Sequence, residues 1–176
     1  MTRLKMKTKR VVVLPYDIKW KSDFEKIRQE IEKAIGGLII GVEHVGSTSV
    51  EGMSAKPCID IDVVIKDYSV FDDVVDKLGA IGYIHEGNLG IKDREAFKYM
   101  DKSHLQTHHL YVCPHQSREL YRHITFRDFL RKTPEAAIRY STIKEKAAQL
   151  FPDNIEKYIE YKSHCIEELY KMCGLL

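Results

Sequence analysis

A chain of 176 residues, 44% hydrophobic and 31% charged, holds enough apolar material to bury a core without staples and too much to stay disordered. A formal net charge of +2 is too mild to signal a nucleic-acid or membrane-surface protein. Cys58, Cys113, Cys165 and Cys173 show no C-x-x-C spacing, which argues against a zinc ribbon or redox motif and for a reducing, cytoplasmic setting.

The basic start (Lys5, Lys7, Lys9, Arg10) reads as a frayed solvated tail before a short strand, Val11 to Leu14, which is too short for a signal-peptide core. No apolar run approaches the ~20 residues that a membrane span needs. Trp20, Phe24, Ile27, Ile31 and Ala34/Ile35 then recur at helical spacing, with Gly36-Gly37 as the stop. Leu38 to Val45 reads as a buried strand that ends in a Gly46-Ser47 turn, and the stretch from Ser49 to about Ala55 as a short helix or loop. Pro57 opens a second strand.

Ser69, with Asp72 three residues on, is expected to cap a helix reaching about Leu78 and ended by Gly79 or Gly82. Tyr83 to His85 forms a short strand and Gly87 to Gly90 a turn. Ala96 to Asp101 and Thr107 to Cys113 read as an antiparallel pair that Pro114 ends. Three helices follow. Ser117 caps the first, which runs through Leu120, Ile124 and Phe129. Thr133-Pro134-Glu135 starts the second, with Ala137, Tyr140, Ile143, Ala147 and Leu150 inward. Asp153 and Glu156 start the third, whose stripe is Ile155, Tyr158/Ile159, Ile166, Leu169 and Met172/Cys173. No linker or repeat intervenes, so residues 1–176 read as one domain, with a sheet core over 11–113 and a helical tail over 117–174.

The strand after Pro57 carries the chemistry. Side chains alternate along a strand, so Ile59, Ile61, Val63 and Ile65 share one face and Asp60 and Asp62 the other. The apolar set needs a covering layer; two adjacent carboxylates repel each other and need an open cleft and a cation. Twelve residues separate Ser47 from Asp60: Gly46 lets backbone N–H groups approach a phosphate and Ser47 adds a hydroxyl. A hard cation such as Mg²⁺ or Mn²⁺, shared between Asp60, Asp62 and substrate phosphates, suits phosphoryl or nucleotidyl transfer. His44 closes the preceding strand, where hydrogen bonding to its neighbours is an equal reading. Tyr140/Lys144 and Tyr158/Lys162 repeat a Tyr-x-x-x-Lys pattern on consecutive helices. A lysine on a buried stripe must snorkel or meet an anion.

The string His44-Val45-Gly46-Ser47-Thr48-Ser49-Val50, continued by Ala55-Lys56-Pro57-Cys58-Ile59-Asp60-Ile61-Asp62-Val63, resembles the GrpB (UPF0157) family. That family's pattern is close to H-V-G-S-T-S-V-P-G-L-x-A-K-P-I-I-D-I-D-V. The wider likeness is to the DNA-polymerase-β-like nucleotidyltransferases. The GrpB resemblance covers nearly the whole chain and includes Tyr16, Trp20, Arg94, Phe97, Lys98, Thr107, His108 and Leu110 and the tail residues Tyr140, Lys144, Tyr158 and Lys162; Glu51 stands where the family has proline. The resemblance implies an α/β (α+β) nucleotidyltransferase-like fold, a mixed sheet with helices on one face and a C-terminal helical bundle. It also implies a metal–nucleotide pocket, and in some relatives a domain of this kind is fused to dephospho-CoA kinase.

The expected binding set is His44, Gly46, Ser47, Thr48, Ser49, Lys56, Arg94, Lys144, Tyr158 and Lys162, with Asp60 and Asp62 holding Mg²⁺ beside a nucleoside triphosphate. Active superfamily members carry a third carboxylate on a later strand. Here His109 and Tyr111 occupy the matching positions, which leaves His109 as the candidate base and Glu95 as a weaker substitute. The expected function is therefore Mg²⁺-dependent nucleotide binding, with transfer of a nucleoside monophosphate to an unknown acceptor. The alternative is a non-catalytic module for a nucleotide or CoA-related ligand. A zinc site on His104 and His108 is disfavoured, because along a strand that spacing separates the rings by about 13 Å.

Overall fold

The computed structural model describes residues 10–176; Lys5, Lys7 and Lys9 of the expected tail lie outside the described residues. Five strands form one mixed sheet: β1 (Gly41–Val45), β2 (Ile59–Ile65), β3 (Tyr83–Gly87), β4 (Glu95–Tyr99) and β5 (His108–Pro114), in the order β1-β2-β5-β4-β3. Only β2 and β5 run parallel, in a register that sets Asp60 beside His109 and Asp62 beside Tyr111. The acidic strand is thus interior, held by β1 on one side and β5 on the other.

Helices α1 (Lys19–Ile35) and α2 (Phe71–Ala80) cover one face. Trp20, Ile27, Ile31, Val74 and Leu78 close over Ile59, Ile61, Val63, Ile65, Leu110 and Val112 in one buried cluster, as the alternation along β2 requires. Full burial of a side chain such as Ile61 is worth roughly 1.5–3 kcal/mol. Helices α3 (Arg118–Lys132), α4 (Pro134–Leu150) and α5 (Ile155–Met172) form the C-terminal group. Helix α3 lies across the opposite face, where Leu120 meets Val64 and Cys113. Among the described residues no helix is long and apolar enough to cross a membrane.

The local structure departs from the sequence expectation in three places. Asp67, not Ser69, is the capping side chain before α2: it accepts from the Ser69 backbone N–H at 2.8 Å, in a 3₁₀ turn over Tyr68–Val70. Asn154 rather than Asp153 caps α5, accepting from Lys157 N–H at 3.0 Å. The buried stripe of α5 runs through Tyr158, Cys165 and Leu169, whereas Ile155 and Ile159 are exposed. Lys162 falls between Tyr158 and Cys165 on that stripe. The structure keeps Ser117 as the cap of α3, accepting from Leu120 N–H at 3.3 Å.

Candidate functional site

A cleft of about 340 Å³ opens between the acidic end of β2 and helices α3, α4 and α5. That is within the range of small-ligand sites, roughly 300–1,000 Å³. Its floor is the turn after β1 and Asp60; its far wall is Tyr140, Tyr158 and Tyr170, with Phe126 between.

The turn is shaped by Gly46, whose φ of 73° and ψ of −178° suit glycine alone. A Cβ there would come within 2.3 Å of Asp60 Oδ2, so missing side-chain bulk lets the carboxylate lie against the turn. Ser47–Ser49 then form one 3₁₀ turn, and a helix start leaves its first N–H groups without intrahelical acceptors. Ser47 and Thr48 line the cleft, while Ser49 folds back so that its hydroxyl donates to Gly46 O. His44 stands behind the turn: its Nε2 is 2.9 Å from Thr48 Oγ1 and its ring stacks on Phe24 at 4.5 Å. Burial, reinforced by Arg131 and Arg127, pushes His44 down to about 4, so it is a neutral prop for Thr48 rather than a wall of the cleft.

Helices reach in to grip this loop. Arg131 donates Nε–H and Nη2–H to Ser49 O at 3.0 and 2.8 Å, and Arg127 donates to Glu43 at 2.6 Å and to His44 O at 3.1 Å. From α4, Lys144 donates to Ser47 Oγ at 2.7 Å and to Ser54 O, and lies over the Tyr140 ring at 4.5 Å. Lys162 lies 5.0 Å and Lys56 6.0 Å from the Tyr158 ring centre. Three lysines therefore meet at the cleft, where Asp60 lines the floor and Glu145 adds a second acid near Lys144. Burial, followed by repulsion from Lys162, lowers Lys144 to about 7; burial and then Lys56 lower Lys162 to about 8. Both ammonium groups lack a full counter-charge, a condition that an entering polyanion would relieve.

The two aspartates have separate surroundings. Asp60 is about one-third exposed and its Oδ1 meets His109 Nδ1 at 2.9 Å. Asp62 was expected in an open cleft beside it; instead it is fully buried beneath α3, and its Oδ2 meets His123 Nδ1 at 2.6 Å. His123 Nε2 in turn meets Glu119 Oε1 at 3.0 Å. Burial raises the Asp62 carboxyl, opposed by the His123 hydrogen bond. Burial also opposes charge on His123, but Asp62 and Glu119 outweigh it and raise the imidazole. Asp62 Oδ1 has no partner among the described residues.

His109 does not meet the requirement for a neutral-pH base. Its bonds to Asp60 and then Cys58 raise it to about 10, although the ring is half exposed and water screens part of that effect. Glu95 cannot supply the missing acid: it points to the α2 face, where His85 Nε2 meets it at 2.8 Å and the Tyr68 hydroxyl donates to it at 3.2 Å. Arg94 shares the face of Asp60 but lies over the Tyr111 ring at 4.4 Å, outside the cleft lining. His104 pairs with Glu30, and His108 with Tyr83 and Gln106 O, so those two histidines do not meet.

A divalent ion is implied by the fold, and the residues fit one in part. Each carboxylate has one oxygen taken by a histidine and a second that is not: Asp62 Oδ1 is unpartnered and Asp60 Oδ2 lies against the turn. An all-oxygen pair of that kind suits a hard cation.

The residues missed in sequence are Tyr170 of the cleft wall and the polar side chains of α3. Glu119, His123, Arg127 and Arg131 recur every four positions and form one polar stripe. Following only Leu120, Ile124 and Phe129 hid it.

The GrpB protein family matches residues 10–172 of this chain. The UPF0157 protein YqkA of Bacillus subtilis is 31% identical over 159 residues, covering 90% of this chain but only 46% of YqkA, so the chain spans about half the length of that relative. The crystal structure of the conserved protein GrpB from Enterococcus faecalis superposes with a TM-score of 0.78 at 31% identity, covering 92% of this chain and 98% of that one. A structure of the Cid1 poly(U) polymerase bound to MgATP reaches a TM-score of 0.52 at 10% identity over 74% of this chain and 42% of the polymerase, a likeness of fold alone. The chain belongs to the GrpB family and has a nucleotidyltransferase-like fold.

Proposed function

We propose that the cleft binds a nucleoside triphosphate, or a CoA-related ligand with the same phosphate chemistry, together with Mg²⁺. The observation that carries this reading is the convergence of Lys56, Lys144 and Lys162 on a cleft floored by Gly46, Ser47 and Asp60 and walled by tyrosines. In it, Ser47 and the backbone of the turn receive phosphate oxygens, Lys144 and Lys162 neutralise them, and an aromatic wall stacks the base. Asp60 and Asp62 Oδ1 would hold the ion. When bound, it would supply charge neutralisation and orientation for the phosphates. The His109 and His123 hydrogen bonds fix the rotamers of Asp60 and Asp62.

Thermal unfolding with each nucleoside triphosphate and with CoA, with and without Mg²⁺, tests the reading. Ligand at a hundred times its Kd adds about 2.7 kcal/mol, a rise in Tm of roughly 5–10 °C for a chain of this size. That rise is expected to need Mg²⁺ and to vanish in Asp60→Ala. No shift with any of these ligands overturns the proposal. Transfer of a nucleoside monophosphate is the second reading, favoured by the fold. Its test is an Asp60-dependent labelled product from α-labelled nucleotide and cell extract. Binding without any product leaves a ligand-binding module.

A further inference from the structure

The hard-cation reading uses only oxygen donors and leaves one side chain at the cleft floor without a role. Cys58 precedes Asp60 by two positions and so shares its face of the strand, while His109 stands beside Asp60 on parallel β5. The thiol, a carboxylate oxygen and an imidazole nitrogen consequently converge, all within 4.8 Å of one another. All three residues line the cleft. The family pattern carries isoleucine where Cys58 stands, so nothing in the Mg²⁺–nucleotide reading calls for sulfur here.

We propose that Cys58, Asp60 and His109 form a three-ligand site for a borderline-soft divalent ion, Zn²⁺ above all, with its fourth position open to the cleft. Sulfur, nitrogen and oxygen donors in a three-plus-one arrangement match zinc and not magnesium, which demands oxygen. Tetrahedral zinc places its ligands about 3.3–3.8 Å apart, as follows from bonds of 2.0–2.3 Å. Small side-chain rotations reach that from the spacing observed. The open position faces Lys56, Lys144 and Lys162, so the fourth ligand is an anion or water. The site shares Asp60 with the Mg²⁺–nucleotide reading without depending on it, and an ion held here competes with one held between Asp60 and Asp62.

Cobalt(II) titration of the metal-free protein tests the site. A near-ultraviolet thiolate-to-cobalt charge-transfer band is expected to saturate at one ion per chain and to be displaced by Zn²⁺. Cys58→Ser loses the band. It also weakens zinc binding beyond the roughly 10–100-fold that follows from disturbing only a ligand's neighbours. His109→Ala weakens zinc binding comparably and carries the test if Cys58→Ser does not fold. Mg²⁺-dependent stabilisation by nucleotide persists in Cys58→Ser, which separates failure here from failure of the nucleotide reading. The proposal is overturned by a band that survives Cys58→Ser and disappears in Cys173→Ser, by equal zinc affinity in wild type, Cys58→Ser and His109→Ala, or by no binding at all.

Discussion

The two faces of β2 are built to opposite rules. On one, Ile59, Ile61, Val63 and Ile65 are wholly buried under α1 and α2 in an unbroken apolar contact. On the other, α3, α4 and α5 bring charge toward charge: Asp62 and His123, Lys144 near Asp60, and an arginine pair clamping backbone carbonyls. The first face holds the fold together. The second spends folding free energy to keep polar groups dry and incompletely paired, which is what a site awaiting a charged ligand needs. Stability and binding should therefore separate cleanly by face.

Mutation can break that separation, and the largest effect is expected on the apolar side. Ile61→Ala should lower unfolding free energy by about 2–5 kcal/mol in urea titration, with ligand affinity unchanged in the folded fraction. Gly46→Ala is next. The strained backbone and the collision with Asp60 should lower stability by roughly 1–3 kcal/mol and abolish nucleotide-induced stabilisation.

On the polar face the sign turns. Asp62→Leu combined with His123→Leu replaces the whole buried pair, with its unpartnered oxygen, by apolar side chains, so stability should hold or rise as metal-dependent binding is lost. Lys144→Met should behave alike, and pH exposes the reason. Folding lowers Lys144 from its ordinary 10.5 to about 7, so between those values the unfolded chain holds more protons and the stability of the ligand-free wild type climbs as pH rises. Lys144→Met should flatten that climb when Tm is followed from pH 6 to 9. Affinity for a polyanion should run the other way in wild type, weakening as Lys144 and then Lys162 lose their protons. The smallest effect is Arg94→Ala, which costs about 0.5–1 kcal/mol of its stack on Tyr111 and leaves ligand binding intact.

The apolar face could be read from sequence because period-two and period-3.6 patterns report burial directly, and Ile59 to Ile65 and Trp20 to Ile35 obey them. The Gly46-Ser47 turn and Asp60 were legible because their chemistry requires particular residue types in a short stretch. Asp62 was misplaced because alternation gives the face of a side chain but not what lies above it, and α3 begins 56 positions later. The polar stripe of α3 escaped for a related reason. Helix α3 docks through Glu119, His123 and Arg127 as well as through Leu120 and Leu130, and apolar periodicity reports only the second set; the polar partners become evident only in three dimensions. Arg94 shows the converse, with the correct face of the sheet but a neighbouring tyrosine to occupy it.

The hydrogen bond from Lys144 to Ser47 joins residues 97 positions apart. A ribosome therefore releases the turn long before it releases the helices that complete the cleft. The growing chain passes through a stage with its sheet sequence exposed and no ligand pocket. Ligand can select only chains in which α3, α4 and α5 have docked, so binding would act as a late mark of a completed cleft and not as a template for early folding.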